Sequence, residues 1–212
     1  MKFKPVLLAT LFVASLTTAG LIVAKVRKAP KSQGFTMRIS QRFYAPGSSV
    51  PYVFATVYRQ QKADGSWRFE TTYADGRVQV GLSQPGRGVF EVDDKGQKLD
   101  QMAESSGHFL ITEEMLRSDP AFVGEEEILG FKTLHLRAES QLAPGEFDDN
   151  YFCPALQGYP LRSVSSSTKH GTTTVFEVTE VKLGEPSFPV PDYAVDTTQF
   201  EQLQKARAAN AP

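Results

Sequence analysis

Apolar and polar residues alternate over most of this 212-residue chain, and short turn signals separate the alternating runs. Phe35, Met37 and Ile39 share one parity, with polar residues between them. Such alternation places one set of side chains on each face of a β-strand. Asp-Gly pairs at 64–65 and 75–76 are typical of tight hairpin turns, where glycine readily adopts positive φ. The pattern therefore predicts consecutive hairpins, each strand with one apolar face.

The remaining segments extend this pattern to about nine to eleven strands. We interpret residues 126–138 as one long strand, which Gly130 bends or interrupts with a bulge. Residues 112–118 form a short predicted helix with Thr112 as its cap. Residues 197–210 form a second, weakly amphipathic one. The expected fold is mainly β, a single antiparallel sheet with one or two short helices.

The amino terminus has a different character. Residues 6–24 carry no charge, and basic residues flank them on both sides. A helix of about 19 residues, rising ~1.5 Å per residue, approaches the ~30 Å of a bilayer core. We expect a membrane-targeting helix within residues 1–31, acting either as a signal anchor or as a cleaved signal peptide. The domain would then be exported to the periplasm or cell surface, and a retained segment would anchor it in the inner membrane.

Composition and motif spacing exclude several functions. The net charge of −1 offers no basic excess for nucleic acid. Cys153 is the single cysteine, and the histidines His108, His135 and His170 lack the spacing of metal ligands. No acid, base and nucleophile set is apparent in the sequence. We therefore predict no catalytic, metal or cofactor site and a protein that is not an enzyme.

The second half of the chain carries motifs of a known superfamily. They are Gly130, Lys132 and Thr133 in one segment, then the segment 158–161 with Gly-x-Pro-Leu, then the ending 188–193 with Phe, Pro and Tyr. In this order they resemble the LolA-like superfamily of exported bacterial proteins. The resemblance implies a strongly curved sheet, a half-open barrel with an apolar concave face. It also implies a lipid or a lipoprotein acyl chain as the ligand of that face.

Two functional hypotheses follow for the β domain, residues 32–196, with residues 197–212 as a C-terminal helix and tail. In the first, the concave face binds a lipid-like or other hydrophobic ligand. In the second, the domain is a membrane-anchored scaffold that binds a protein partner and no small molecule. The side chains expected to line the cavity are aromatic and aliphatic residues of two strands: Phe35, Met37, Ile39, Trp67, Phe69 and Tyr73.

Overall fold

The computed structural model describes residues 33–104, 111–139 and 144–209. The predicted targeting segment, residues 1–31, lies outside them. The strands are β1 (Phe35–Tyr44), β2 (Tyr52–Gln61), β3 (Trp67–Tyr73), β4 (Val78–Gln84), β5 (Gly88–Asp93), β6 (Lys98–Ala103), β7 (Phe122–Ile128), β8 (Phe131–Glu139), β9 (Glu146–Cys153), β10 (Tyr159–Ser167), β11 (Thr172–Leu183) and β12 (Ala194–Asp196). The helices are α1 (Glu113–Ser118), α2 (Thr198–Ala209) and a 3-10 turn, Pro154–Leu156.

All twelve described strands belong to one sheet, in the order β12-β6-β5-β4-β3-β2-β1-β11-β10-β9-β8-β7. Neighbours pair antiparallel, apart from β12, which runs parallel to β6. Hairpins therefore make two meanders, β1–β6 and β7–β11, joined where β1 pairs with β11. The predicted fold class, a curved, unclosed and mainly antiparallel sheet, is confirmed.

The interpretation of residues 126–138 as one bent strand is wrong. The chain reverses at Leu129 and Gly130, whose φ angles are 53° and 78°. Two successive positive φ angles are typical of the hairpin turns that match strand twist. Ile128 and Phe131 are consequently partners across the turn between β7 and β8. A glycine inside an alternating run is compatible with a turn as well as with a bulge. Leucine rarely adopts positive φ, so the sequence at Leu129 does not indicate the turn.

Both predicted helices are confirmed. The side chain of Thr112 caps α1 by accepting a hydrogen bond from the backbone N–H of Met115 at 3.2 Å. Helix α2 follows β12 and contacts β6. Among the described helices, none has the length and apolar character needed to cross a bilayer.

Two hydrophobic clusters lie on opposite faces of the sheet. The larger one collects residues of one face: Phe35, Met37, Ile39, Val57, Ile128, Cys153, Leu156, Leu161 and Val178. The smaller one contains Leu82, Phe90 and Leu99, with Tyr193 packed against it. In β4, Leu82 points away from the face that carries its neighbours Gly81 and Ser83. The C-terminal segment therefore packs on the face opposite to the larger cluster.

The face of the larger cluster is the inner face of the curved sheet. The residue after the 3-10 turn, Gln157, donates from Nε2 to the backbone oxygen of Lys62 at 3.1 Å. Gln157 precedes β10 and Lys62 follows β2, three strands away in the sheet. In a flat sheet, three spacings of about 4.8 Å would separate these strands by roughly 14 Å. The contact therefore indicates that the sheet bends around this face, which we call the inner face.

Candidate functional site

Strand register assigns side chains to the inner face of β1, β2 and β3. Met37 pairs with Arg59, and Arg59 pairs with Phe69. Directly opposed residues of antiparallel strands project to the same face. Trp67 and Tyr73 have the parity of Phe69 and share its face. All six side chains predicted to line a cavity therefore project to the inner face, although their role as ligand contacts stays a prediction.

One end of the inner face is filled by the protein's own side chains. Phe35, Met37 and Leu161 are 0–1% exposed. Leu156 of the 3-10 turn and Tyr159 of β10 cover this region, and the Phe35 and Tyr159 rings meet edge to face at 6.4 Å. We call the region defined by Phe35, Met37, Leu156 and Leu161 the packed end. It has the close contacts of an ordinary hydrophobic core.

The other end carries aromatic rings that are only partly covered. Phe43 pairs with Tyr52 on β2 and with Thr174 on β11, so Phe43 and Tyr52 share the inner face. Phe54 and Phe176 meet edge to face at 6.3 Å. Gln41 pairs with Ala55, whereas the next residue, Arg42, pairs with Val53. Phe54 therefore has no partner on β1, and its ring lies next to the Phe176 ring. We call the region of Phe43, Tyr52, Phe54, Tyr73 and Phe176 the aromatic end.

A glycine of β4 makes room for aromatic rings of β3 that lie in the same cross-strand rows as Phe35 and Met37. Gly81 pairs with Phe69 across β3 and β4. A Cβ atom at Gly81 would lie 2.5 Å from the Phe69 ring, well inside van der Waals contact. The ring therefore lies over the Gly81 backbone and stacks on Trp67, with centroids 5.5 Å apart. The missing side chain at Gly81 allows the two aromatic rings to lie along the inner face.

A cation lies among these rings. The Arg59 guanidinium is 4.9 Å from the Trp67 ring centroid and 4.7 Å from the Tyr159 centroid. One of its nitrogens, Nη2, donates to Oε1 of Gln61 at 2.8 Å. Burial lowers the pKa of Arg59, and the contact with Tyr159 opposes that shift. Arginine nonetheless stays charged at neutral pH, so the inner face carries one positive group between its aromatic side chains.

Sequence reasoning missed several inner-face residues. The alternation places Phe43 on the same face as Phe35, Met37 and Ile39, but Phe43 is not among the residues predicted to line the cavity. Phe54 faces Phe176 through a register shift that no single-strand pattern indicates. Tyr159 depends on the turn that brings β10 beside β9, and Arg59 depends on pairing with Met37 and Phe69.

Two surface depressions lie away from the inner face. One, of about 440 Å³, is bounded by the β1–β2 loop and includes Arg42, Arg162 and Glu177. The other, of about 580 Å³, lies along α1 and is lined by Glu113, Glu114, Arg117 and Ser118. Within the described residues, no group of three or more His, Cys, Asp or Glu side chains is arranged to hold a metal ion. Burial raises the pKa of the Cys153 thiol, so the reactive thiolate is disfavoured.

Comparison with known proteins places this chain beside several solved structures. No family model and no curated protein matches it. An uncharacterized conserved protein from Thermus thermophilus is similar with a TM-score of 0.49 and 13% identity, over 78% of this chain and 90% of that one. The Pseudomonas aeruginosa MucA/MucB complex matches with a TM-score of 0.45 and 19% identity, over 74% of this chain and 54% of that one.

The matches also include a LolA superfamily protein from Nitrosomonas europaea. Its TM-score is 0.38 at 12% identity, over 74% of this chain and 88% of that one. This is the superfamily that the sequence motifs resemble. At TM-scores below 0.5, none of these likenesses assigns a ligand or a partner to this chain.

Proposed function

We propose that this protein is a non-enzymatic binding protein of the cell envelope, whose aromatic end takes a hydrophobic, lipid-like ligand. One observation carries the proposal: the inner face continues from a packed core into the half-buried rings Phe43, Phe54 and Phe176. Apolar rings that are neither fully packed nor on an outward surface are typical lining for a hydrophobic ligand.

The packed end limits how far such a ligand can extend along the inner face. Phe35 and Met37 are buried beneath Leu156 and Tyr159, so a ligand chain has no room there without displacing core side chains. The ligand would lie across β1, β2 and β11, where the rings are half-buried. Burial of apolar surface contributes about 25 cal/mol per Å². A single alkyl chain covering these rings therefore gains its affinity chiefly from contact area.

Export fits this role. Residues 6–24 form an uncharged run between basic flanks, and as a signal anchor they would hold residues 32–196 beside a membrane. As a cleaved signal peptide they would release the same domain into the periplasm. Either arrangement brings the inner face into a compartment that contains lipids, and sequencing the mature N-terminus distinguishes them.

Native mass spectrometry and solvent extraction test the proposed ligand. The protein is purified without detergent from cells that export it, then measured intact and after denaturation. We expect an adduct that disappears on denaturation and an apolar molecule in the extract. Exchange of Phe176 for Ala should reduce the adduct, whereas Tyr58→Ala, a half-buried aromatic of β2 on the outer face, should leave it unchanged. Bare protein, with no molecule extracted, would contradict the proposal.

A protein-interaction role is the second candidate, and the sheet edge favours it. Strand β7 is the last strand of the described sheet, and Val123 on it is 59% exposed. An edge strand is a template for adding a strand from another chain. Glu125, Glu126 and Glu127 make this edge acidic. A partner found by crosslinking at β7, together with the absence of any extracted molecule, would favour this alternative.

A further inference from the structure

Arg59 is a charged group on the inner face, and all of its partners among the described residues are uncharged. Arg59 donates to Gln61 and stacks against Trp67 and Tyr159. Its Nε is buried and has no hydrogen-bond partner among the described residues. Among the described residues, no carboxylate contributes to the shift in the pKa of Arg59. The other arginines that cross these strands, such as Arg38 with Glu180 at 3.1 Å, pair with acids on the outer face.

The position of Arg59 is held by a relay of amide side chains. Gln61 accepts from Arg59 through Oε1 and donates through Nε2 to Oε1 of Gln157 at 3.3 Å. Gln157 then donates to the backbone oxygens of Gln33 and Lys62, at 3.3 and 3.1 Å. Each amide is oriented by the next, so the guanidinium is fixed between its two rings. The protein thus holds a partly buried cation, whose Nε is fully covered, in one place without neutralising it.

Such an arrangement is unfavourable unless something else supplies the negative charge. Removing a charge from water costs several kcal/mol, and a partner of opposite charge offsets that cost. The two aromatic rings offset part of it through cation–π contact. A buried Nε–H without an acceptor adds a further penalty. Sites that break the usual rules of burial in this way are often binding sites.

We propose that Arg59 binds the anionic oxygen group of an amphiphilic ligand whose apolar chain lies along the aromatic end. This rests on the function proposed above and names the ligand class, an alkyl chain that ends in a carboxylate or a phosphate. Arg59 and Ala55 lie four residues apart on the inner face of β2, about 13 Å along the strand. Arg59 pairs with Met37, so the head group would contact the guanidinium at the border of the packed end, and the chain would extend from there over Phe54 and Phe176.

Three probes with the same twelve-carbon chain test the head group. Dodecanoate, dodecyl phosphate and dodecan-1-ol are titrated into the intact protein at pH 7 by calorimetry, the two anions below their micelle concentrations and the alcohol below its solubility limit. Hydrogen bonds to charged groups contribute enough for us to expect the anions to bind at least about tenfold more tightly than the alcohol. A carboxylate-only preference identifies a fatty acid as the class, and a phosphate-only preference identifies a phosphorylated lipid.

Variants show whether Arg59 causes the preference. Arg59→Met keeps the length of the side chain and removes its charge, and it should bring the anions to the affinity of the alcohol. Arg59→Lys should retain part of the preference. Arg38→Met, the matched control on β1 and the outer face, should leave all three affinities unchanged. Should Arg59→Met fail to fold, Arg59→Lys decides the question: a reduced preference for the anions supports the role of Arg59, and an unchanged preference overturns it.

The outcomes separate this inference from the function on which it rests. If no probe binds the wild-type protein, the hydrophobic-ligand function fails and Arg59 fails with it. If all three bind with equal affinity, the function stands and the role of Arg59 is overturned. If the anions bind more tightly and Arg59→Met keeps that preference, another cation recognises the head group and the inference is equally wrong.

Discussion

The two ends of the inner face are built from the same strands and differ in what covers them. At the packed end, the 3-10 turn Pro154–Leu156 places Leu156 over Phe35 and Met37, which are 0–1% exposed. At the aromatic end the rings of Phe43 and Phe176 stay half-buried. Apolar residues occupy the inner face at both ends, although a register shift in β2 interrupts the alternation at the aromatic end. Whether an apolar face becomes core or binding surface is decided by the connection that crosses it, and not by the strand pattern.

Replacement of Phe35 by Ala should have the largest effect on folding. Truncating a fully buried phenylalanine typically costs about 3–5 kcal/mol of unfolding free energy, through lost burial and a cavity. Denaturant unfolding measures this loss. Val78→Ala, at a side chain that is 56% exposed, should change stability by less than about 0.5 kcal/mol. A loss of under about 1 kcal/mol for Phe35→Ala would show that the packed end is not a core.

Replacement of Gly81 by Ala should destabilise the sheet where the Phe69 ring lies over β4. The new methyl group would meet the Phe69 ring, and overpacking of this kind costs about 1–3 kcal/mol. A double-mutant cycle with Phe69→Ala supplies the control, because removing the ring should abolish most of the penalty. Purely additive losses would mean that Phe69 does not lie over Gly81.

Replacement of Phe176 by Ala should affect binding more than folding. Its ring is half-buried, so we expect a loss of about 1–2 kcal/mol, below the range for a fully buried phenylalanine. Binding of the dodecyl probes should weaken several-fold, since the ring supplies contact area. Tyr58→Ala on the outer face serves as the control and should leave binding unchanged. A Phe176→Ala protein that unfolds like Phe35→Ala would remove the distinction between the ends.

Labelling of Cys153 should produce the smallest effect. This thiol is 0% exposed at the packed end, and burial raises its pKa. A thiol reagent should therefore modify the folded protein at a negligible rate and the denatured protein rapidly. Mass spectrometry follows the reaction, and addition of a dodecyl probe should not change the folded-state rate. Rapid labelling of the folded protein would show that ligand-sized openings reach the packed end.

Much of the fold was predictable from local signals. Alternation and the Asp-Gly pairs indicate the strands and hairpins of β1–β4, and the Thr112 cap marks the start of α1. The turn at Leu129 and Gly130 was misread, because positive φ at a leucine has no local signal. The parallel pairing of β12 with β6 is a contact between segments nearly one hundred residues apart, which strand patterns do not encode.

The candidate site was predictable in part, for a similar reason. Phe35, Trp67 and Phe69 could be assigned to one face because alternation determines which residues share a face. Their exposure could not be assigned, since it depends on Leu156 arriving from the turn between β9 and β10. Arg59 looks like an ordinary polar residue in the sequence, and only register shows that it lies beside Met37 and Phe69.

Photo-crosslinking with a diazirine-bearing fatty acid tests the binding surface most directly. The protein is irradiated with the probe, digested and mapped by mass spectrometry, with excess dodecanoate as competitor. Adducts should concentrate on Phe43, Phe54 and Phe176 and decrease with the competitor. Adducts on Tyr58 and Val78 of the outer face, or adducts that the competitor leaves unchanged, would contradict a ligand site at the aromatic end.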